Sequence, residues 1–170
     1  VVGVGQRLKL VPKRLGLGEE PVDLRRGPLE ATGDDAWFFT GCVMDSMQRN
    51  VHAAGIEVLA AAGVGVIPTG DLAPCCGALQ AHAGLTGDTR ELANRMIGTF
   101  LDDRPIIVDS AGCGAAMKDY GHLLGTSEAA EFATRVVDIQ EFLAPRIDDL
   151  PSVEPLDIRV AVQDPCHLRH

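Results

Sequence analysis

The chain has few aromatic residues, few basic residues and no long apolar run, and each shortage excludes a class of protein. Aromatic residues make up 4% of the 170 positions, with one tryptophan and one tyrosine. No apolar stretch reaches the roughly 20 residues that a membrane-spanning helix needs. Fifteen lysines and arginines against 24 acidic residues give a net charge of -9. That balance disfavours binding to nucleic acid or to an anionic membrane surface.

Motifs of substrate chemistry are also lacking. The sequence holds no recognisable nucleophile-base pair, acid dyad or phosphate loop, and Gly3 and Gly5 lack the third glycine and the preceding strand of a nucleotide loop. No export signal is visible, so we expect reduced thiols and a cytoplasmic protein. A peripheral association with the inner face of the membrane stays an open alternative. We therefore assign no substrate chemistry to this chain by itself.

What the sequence does contain is a set of widely spaced cysteines. Cys75 and Cys76 are adjacent, with Cys42 before them and Cys113 and Cys166 after them. The 32 residues between Cys42 and Cys75 and the 36 between Cys76 and Cys113 are each about one β-α-β step. Thiolates are soft ligands that favour iron-sulfur clusters, zinc or copper(I). The leading hypothesis is an iron-sulfur site, and a structural zinc module is the rival, although it usually contains the close C-x-x-C pairs that are absent here.

The hydrophobic pattern predicts an α/β fold, a Rossmann-like parallel sheet with helices on both faces. Short apolar strands are predicted at 36–40, 64–68, 105–109 and 136–137. A helix that ends at Gly63 is predicted to pack on the sheet through an apolar face made of Met44, Met47, Val51, Ala54 and Val58. A second helix is predicted over 90–101, with Asp88 or Thr89 as its cap. Asp138 and Glu141 form a predicted capping box.

Three predicted strands are each followed by a cysteine loop. Because parallel strands end at the same edge of a sheet, we expect these loops to bring the cysteines together. The glycines expected to let the backbone approach a cluster are Gly41, Gly77, Gly112 and Gly114. Lys118, Asp119 and Tyr120 follow Cys113 at helical spacing, where Lys118 is predicted to offset the negative charge of the cluster; a solvated helix face is the alternative for these residues. His52, His82 and His122 are interpreted as ordinary surface or core histidines rather than ligands.

The chain is predicted to divide into four segments. These are a lead-in with one helix at 1–34, a first cysteine-rich domain at 35–144, a linker at 145–156, and the first strand and cysteine loop of a second repeat at 157–170. The strand of that second repeat is predicted at 158–162, directly before Cys166 and His167. We expect a partial chain.

Three motifs carry a family resemblance: GCVMD at 41–45, PCCGAL at 74–79 and DSAGCGA at 109–115. They resemble the cysteine-rich CCG domain of heterodisulfide reductase and related iron-sulfur oxidoreductases. Within that family, MKDYGHLL at 117–124 and DPCHL at 164–168 are most similar to the glycolate oxidase iron-sulfur subunits. The resemblance covers about residues 37–170.

The resemblance implies an electron-transfer subunit with an iron-sulfur cluster, a 4Fe-4S centre being the expected type. It implies that the ligands come from Cys42, Cys75, Cys76, Cys113 and Cys166, that FAD is bound by a partner dehydrogenase subunit which oxidises glycolate, and that electrons continue toward a quinone-type acceptor. The iron-sulfur protein of lactate utilisation shares the motif and remains an alternative. The complete family motif closes with C-x-x-C, whereas this chain has CGAA at 113–116. That departure favours one conventional cluster over an unusual double one.

Overall fold

A single parallel sheet organises the chain, which the computed structural model describes over residues 29–155 and 157–162. Its strands are β1 (Ala36–Phe39), β2 (Val66–Pro68), β3 (Ile106–Val108) and β4 (Val136–Asp138), in the order β2-β1-β3-β4. All three pairings are parallel. This architecture confirms the predicted α/β class, and each strand lies within the stretch predicted for it or extends one residue beyond.

Helices cover both faces of the sheet, as predicted. They are α1 (Val43–Met47), α2 (Arg49–Ala61), α3 (Ala78–His82), α4 (Thr86–Ile97), α5 (Ala111–Lys118), α6 (Tyr120–Leu124), α7 (Ser127–Arg135) and α8 (Ile139–Leu143), with 3₁₀ segments at Gly70–Leu72 and Ala144–Asp149. Two buried apolar clusters, one on each face of the sheet, lie between the sheet and its helices. Phe38 and Ile107 belong to the cluster under α2, whereas Phe39 and Val108 belong to the one under α4 to α7. Because neighbouring residues of one strand face opposite layers, β1 and β3 are apolar almost throughout.

The order of the strands creates a crevice at the carboxyl edge of the sheet. From β1 the chain crosses to β2 on one side, and it then crosses back to β3 on the other side of β1. The loops that leave β1 and β3 therefore diverge from neighbouring strands. Such a switch point is where open α/β sheets bind ligands.

The first predicted helix differs from the observed structure. It is divided at Gln48, whose φ of -131° and ψ of 34° are not helical, into α1 and α2. The predicted apolar face is wrong, because Met47, Val51 and Val58 are 40–46% exposed. The buried residues of α2 are His52, Ile56 and Leu59. The break separates the methionines from α2, and hydrogen bonds to the ring of His52 allow a polar side chain to occupy the buried face.

One further helix prediction was inexact, and one short helix was not predicted. Helix α4 spans Thr86–Ile97 instead of 90–101, so Asp88 lies in its first turn instead of capping it. The five-residue α3 was not predicted, because one helical turn leaves no periodic pattern. The capping box of α8 is confirmed: Asp138 Oδ1 accepts from Gln140 N at 2.8 Å, and Glu141 Oε2 accepts from Asp138 N at 3.1 Å.

The opposite, amino edge of the sheet is held by Asp102. Trp37 Nε1 donates to both of its carboxylate oxygens at 3.0 Å, and Arg104 Nε donates to Oδ2 at 2.9 Å. Burial alone would raise the pKa of Asp102, but the hydrogen bonds from Arg104 and Trp37 outweigh it and hold that pKa below its usual value. This network fixes the turn that enters β3.

The predicted strand at 158–162 is not formed. These residues are in neither strand nor helix, and Ile158, Val160 and Val162 are 64%, 71% and 85% exposed. The physical reason is that a strand needs a hydrogen-bonded neighbour, and within the described ranges this segment has none. Residues 1–28, Cys166 and His167 lie outside the described residues, so the division into domains stays a prediction. Among the described helices, none has the length and apolarity to cross a bilayer.

Candidate metal centre

Three loops at the carboxyl edge of the sheet carry the described cysteines. Cys42 follows β1 and is the N-cap residue of α1. Cys75 and Cys76 follow β2 and lie just before α3, while Cys113 follows β3 and lies in the first turn of α5. The sheet therefore brings together residues that are more than thirty positions apart in sequence, as the strand-loop pattern predicted.

The four thiols form two pairs. Cys42 Sγ lies 3.5 Å from Cys75 Sγ, and the thiols of Cys76 and Cys113 are close enough that each shifts the pKa of the other. All four are free cysteines. Their exposure is graded, because Cys42 is at the surface, Cys75 and Cys113 are partly covered and Cys76 is 3% exposed. The site is thus reachable from one side and embedded in the core on the other.

Gly41 lies between Cys42, its neighbour in the chain, and the thiol of Cys113. Its φ of +64° is in the left-handed region, where a side chain is disfavoured. A Cβ at this position would lie 3.9 Å from Cys113 Sγ and 3.4 Å from the ring of Phe39. The backbone next to Cys42 therefore approaches Cys113 closely. Gly77, with a φ of +78°, similarly lets α3 begin directly after Cys76.

The buried pair has an uneven distribution of charge. The hydrogen bond from Cys76, aided by one from Ser110, lowers the pKa of Cys113 to about 6 in spite of its burial. The same bond to Cys113, together with burial, raises the pKa of the Cys76 thiol. For Cys42, burial and the hydrogen bond with Cys75 raise the pKa. The two shifts have opposite directions, so in the metal-free site the negative charge favours Cys113 and the proton favours Cys76.

Tyr120 supports the site from the core. Its hydroxyl donates to the Cys76 carbonyl at 2.7 Å, and its fully buried ring stacks on Phe132 with centroids 5.6 Å apart. Burial, and then the negative charge of the nearby cysteines, raises the pKa of Tyr120. The phenol thus remains a neutral donor. The sequence pointed to Tyr120 as a residue beyond the ligands, and the structure places it there.

The remaining predicted residues are near Cys113 or farther along α5. Gly112 and Gly114 flank Cys113, and Gly114 packs on Val108. Lys118 Nζ instead binds Glu141 Oε2 at 2.5 Å, so its charge is engaged at the start of α8. Roles for these glycines and for Lys118 toward a cluster stay predictions.

Sequence reasoning missed the importance of two buried residues beside the cysteine loops. His52 Nδ1 lies 2.7 Å from Asp109 Oδ2, and His52 Nε2 lies 2.8 Å from the carbonyl oxygen of Thr40. The two side chains are 0% and 5% exposed. A signal for Asp109 existed, namely a charged residue at the end of an apolar strand just before a cysteine loop. His52 had none, because it stands among ordinary helical residues.

The four cysteine thiols can be compared with the ligands that thiol-binding metal centres need. Within residues 29–155 and 157–162, no three His, Cys, Asp or Glu side chains converge on a position for a single metal ion. Thiolates are the ligands that iron-sulfur clusters use, and structural zinc accepts them as well. Two thiol pairs on three loops fit the iron-sulfur donor set.

The fold and the site together define a class of protein, a cysteine-rich α/β domain with four thiols at the carboxyl edge of a parallel sheet. Residues 36–118 match the cysteine-rich domain CCG. No solved structure matches the chain significantly.

Relatives of known name extend the comparison. The probable glycolate oxidase iron-sulfur subunit of Bacillus subtilis is 35% identical over 144 residues, which are 78% of this chain and 32% of that protein. A subunit of the fumarate reductase (CoM/CoB) of Methanothermobacter marburgensis is 34% identical over 148 residues, 84% of this chain and 28% of that protein. Lactate utilization protein A of Bacillus subtilis is 26% identical over 137 residues, 77% of this chain and 57% of that protein. The chain thus spans about a third of the first two relatives.

Proposed function

We propose that this chain is the iron-sulfur electron-transfer part of a flavin-dependent glycolate, or 2-hydroxy-acid, oxidase or dehydrogenase. It would relay electrons from a flavin subunit toward a quinone-type acceptor. The observation that carries the proposal is the gathering of four free cysteines from three loops at one sheet edge. Similarity to a glycolate oxidase iron-sulfur subunit supports the substrate class.

The proposed ligands are Cys42, Cys75, Cys76 and Cys113, holding a 4Fe-4S cluster, and Cys166 stays a predicted ligand outside the described residues. Such a cluster, when bound, accepts and releases one electron at a time. The chain supplies the thiolates and fixes them. Because ligation needs deprotonated sulfur, the neutral thiol of Cys76 must lose its proton on binding, whereas Cys113 is ready at neutral pH. The hydrogen bond from the Tyr120 hydroxyl to the Cys76 carbonyl oxygen fixes the backbone of Cys76.

The exposed side of the site suits contact with a redox partner. Four apolar side chains on the loops and helices next to Cys42 and the Cys75-Cys76 pair are 46–68% exposed: Val43, Met47, Leu72 and Leu79. Exposed apolar groups of this kind are characteristic of surfaces that another subunit covers. We place the docking of the flavin subunit here, since electrons must enter near the accessible thiols. The oxidation of the hydroxy acid belongs to the FAD of that partner.

Electron delivery tests the proposal. The cluster-loaded chain is mixed anaerobically with the flavin subunit, and glycolate is added while the visible absorption of the cluster is followed. We expect bleaching that depends on both the flavin subunit and glycolate, and none with a Cys75→Ala chain. A flavin that becomes reduced while the cluster stays oxidised would refute the relay. Bleaching by lactate but not glycolate would favour the lactate-utilisation alternative, which the third relative supports.

A further inference from the structure

A buried His-Asp pair, His52 and Asp109, lies next to the cysteine loops and is not among the proposed ligands. His52 comes from α2, and it contacts the two loops that diverge at the switch point. One contact is the Thr40 carbonyl, two residues before Cys42, and the other is Asp109, four residues before Cys113. The edge of the His52 ring packs against Phe38, with centroids 5.6 Å apart.

The partners of His52 determine where its protons are. A carbonyl oxygen can only accept, so Nε2 must carry a hydrogen toward Thr40. The 2.7 Å contact between Nδ1 and the Asp109 carboxylate requires one further proton between these two atoms, and its length is that of a charge-assisted hydrogen bond from an imidazolium to a carboxylate. The other carboxylate oxygen, Oδ1, is buried and has no hydrogen-bond partner among the described residues. The negative charge of Asp109 is therefore only partly compensated.

Stability alone does not account for this arrangement. A buried ion pair rarely stabilises a fold more than apolar side chains of similar size would, because both charges lose their hydration. An unpartnered carboxylate oxygen adds a further cost. Both charges also act on the cysteine site, since His52 lowers and Asp109 raises the pKa of Cys113.

We propose that His52 and Asp109 are positioning residues that join the Cys42 and Cys113 loops and set the reduction potential of the cluster between them. The inference rests on the proposed function, because it assumes a cluster on these thiols. Reduction adds negative charge to a cluster, so a nearby cation raises the potential and a nearby anion lowers it. The two members of the pair must then act with opposite sign.

Two isosteric substitutions separate this role from simple bracing. His52→Gln removes the positive charge but keeps an N–H that can donate to Thr40. Asp109→Asn removes the negative charge but keeps an oxygen that can accept from His52. The midpoint potentials of the loaded chains are measured by redox titration with EPR detection at pH 7, with iron and sulfide content determined on each sample.

Opposite shifts are the expected result. His52→Gln should move the midpoint to a more negative potential and Asp109→Asn to a more positive one, while the double variant should lie between them. A residue that only stabilises the loops would change the cluster content or the stability of the chain without shifting the midpoint potential in opposite directions in the two variants. Any pattern in which the two single variants do not shift in opposite directions overturns the inference.

A second measurement needs neither the variants nor the cluster. ¹⁵N NMR of the chain as purified, at pH 7, should show both ring nitrogens of His52 protonated. A ring protonated at one nitrogen overturns the inference even if iron is present. Conversely, a doubly protonated His52 in a chain that holds no iron and sulfide would refute the proposed function while leaving the buried ion pair intact.

Discussion

Tyr120 donates its phenolic hydrogen to the carbonyl oxygen of Cys76 at 2.7 Å, which connects the core of the domain to the backbone of a site cysteine. Removing the hydroxyl leaves a buried carbonyl without this partner, while the ring can still stack on Phe132. We expect Tyr120→Phe to lower the free energy of unfolding by about 1–3 kcal/mol. Urea denaturation of the reduced chain measures it.

Thr134 provides the matched control for that substitution. Its hydroxyl also donates to a carbonyl at 2.7 Å, that of Glu131, but the pair is exposed, so water can replace the lost bond. Thr134→Val should change the unfolding free energy by less than about 0.5 kcal/mol. Equal changes in unfolding free energy for the two substitutions would show that the buried hydrogen bond to Cys76 stabilises the fold no more than an exposed one.

Gly41→Ala tests how closely the Cys42 loop approaches Cys113. Gly63→Ala is its control, because Gly63 has a similar φ of +76° but no heavy atom within 4 Å of an added Cβ. Both substitutions should cost about 1–2 kcal/mol of stability from left-handed backbone strain. Only Gly41→Ala puts a methyl group against the thiol of Cys113, so only it should also reduce iron incorporation. Equal iron content in the two variants would contradict the geometry.

The charge of Cys113 predicts a pH profile for the metal-free chain. Its thiol becomes a thiolate above about pH 6, so alkylation of Cys113 by iodoacetamide should reach half its maximal rate there. Cys76→Ala removes the hydrogen bond that contributes most to this low pKa, and the midpoint should move to higher pH. Peptide mass spectrometry after timed alkylation gives the profile residue by residue. A midpoint for Cys113 above about pH 8, near that of an ordinary thiol, in the unmodified chain would refute the assignment.

Acid should destabilise the fold through Asp102 and Glu141. Hydrogen bonds from Lys118 and from the Asp138 backbone lower the pKa of Glu141, as those from Arg104 and Trp37 lower that of Asp102. A carboxylate with a depressed folded pKa contributes stability above its unfolded pKa and loses it as the pH falls through the folded value. We therefore expect the melting temperature to fall below about pH 4.

The neutral variants Asp102→Asn and Glu141→Gln serve as controls for the acid effect. Each should be less stable than the unmodified chain at pH 7, and the difference should narrow at pH 3. Thermal unfolding monitored by circular dichroism at both pH values gives the comparison. A constant difference would show that these carboxylates do not govern the acid transition.

Sequence patterns predicted the sheet and its cysteine loops well, for a physical reason. β3 is apolar throughout because both of its faces are covered, and a cysteine follows three of the strands, so strand and ligand signals reinforced each other. The local sequence pattern was insufficient where a contact between residues distant in the chain determines which side chain is buried. The burial of His52 depends on Asp109, 57 positions away, and no periodicity within α2 announces it.

The segment at 158–162 shows the same limitation, here as a predicted strand that is not formed. Its alternating apolar residues satisfy the local requirements of a strand, but a strand forms only against a neighbour, and none of the described residues provides one. The ion pair between Lys118 and Glu141 is another contact that local pattern does not predict, because the two residues are 23 positions apart.

The most direct test of the central claim is the metal content of the anaerobically purified chain. We expect iron and acid-labile sulfide in equal and stoichiometric amounts, with broad visible absorption and an EPR signal on one-electron reduction. Serine at Cys42, Cys75, Cys76 or Cys113 should abolish or strongly reduce them, while Leu101→Ser, at an exposed position away from the cysteine loops, should not. Stoichiometric zinc with no iron and no visible absorption would contradict the account.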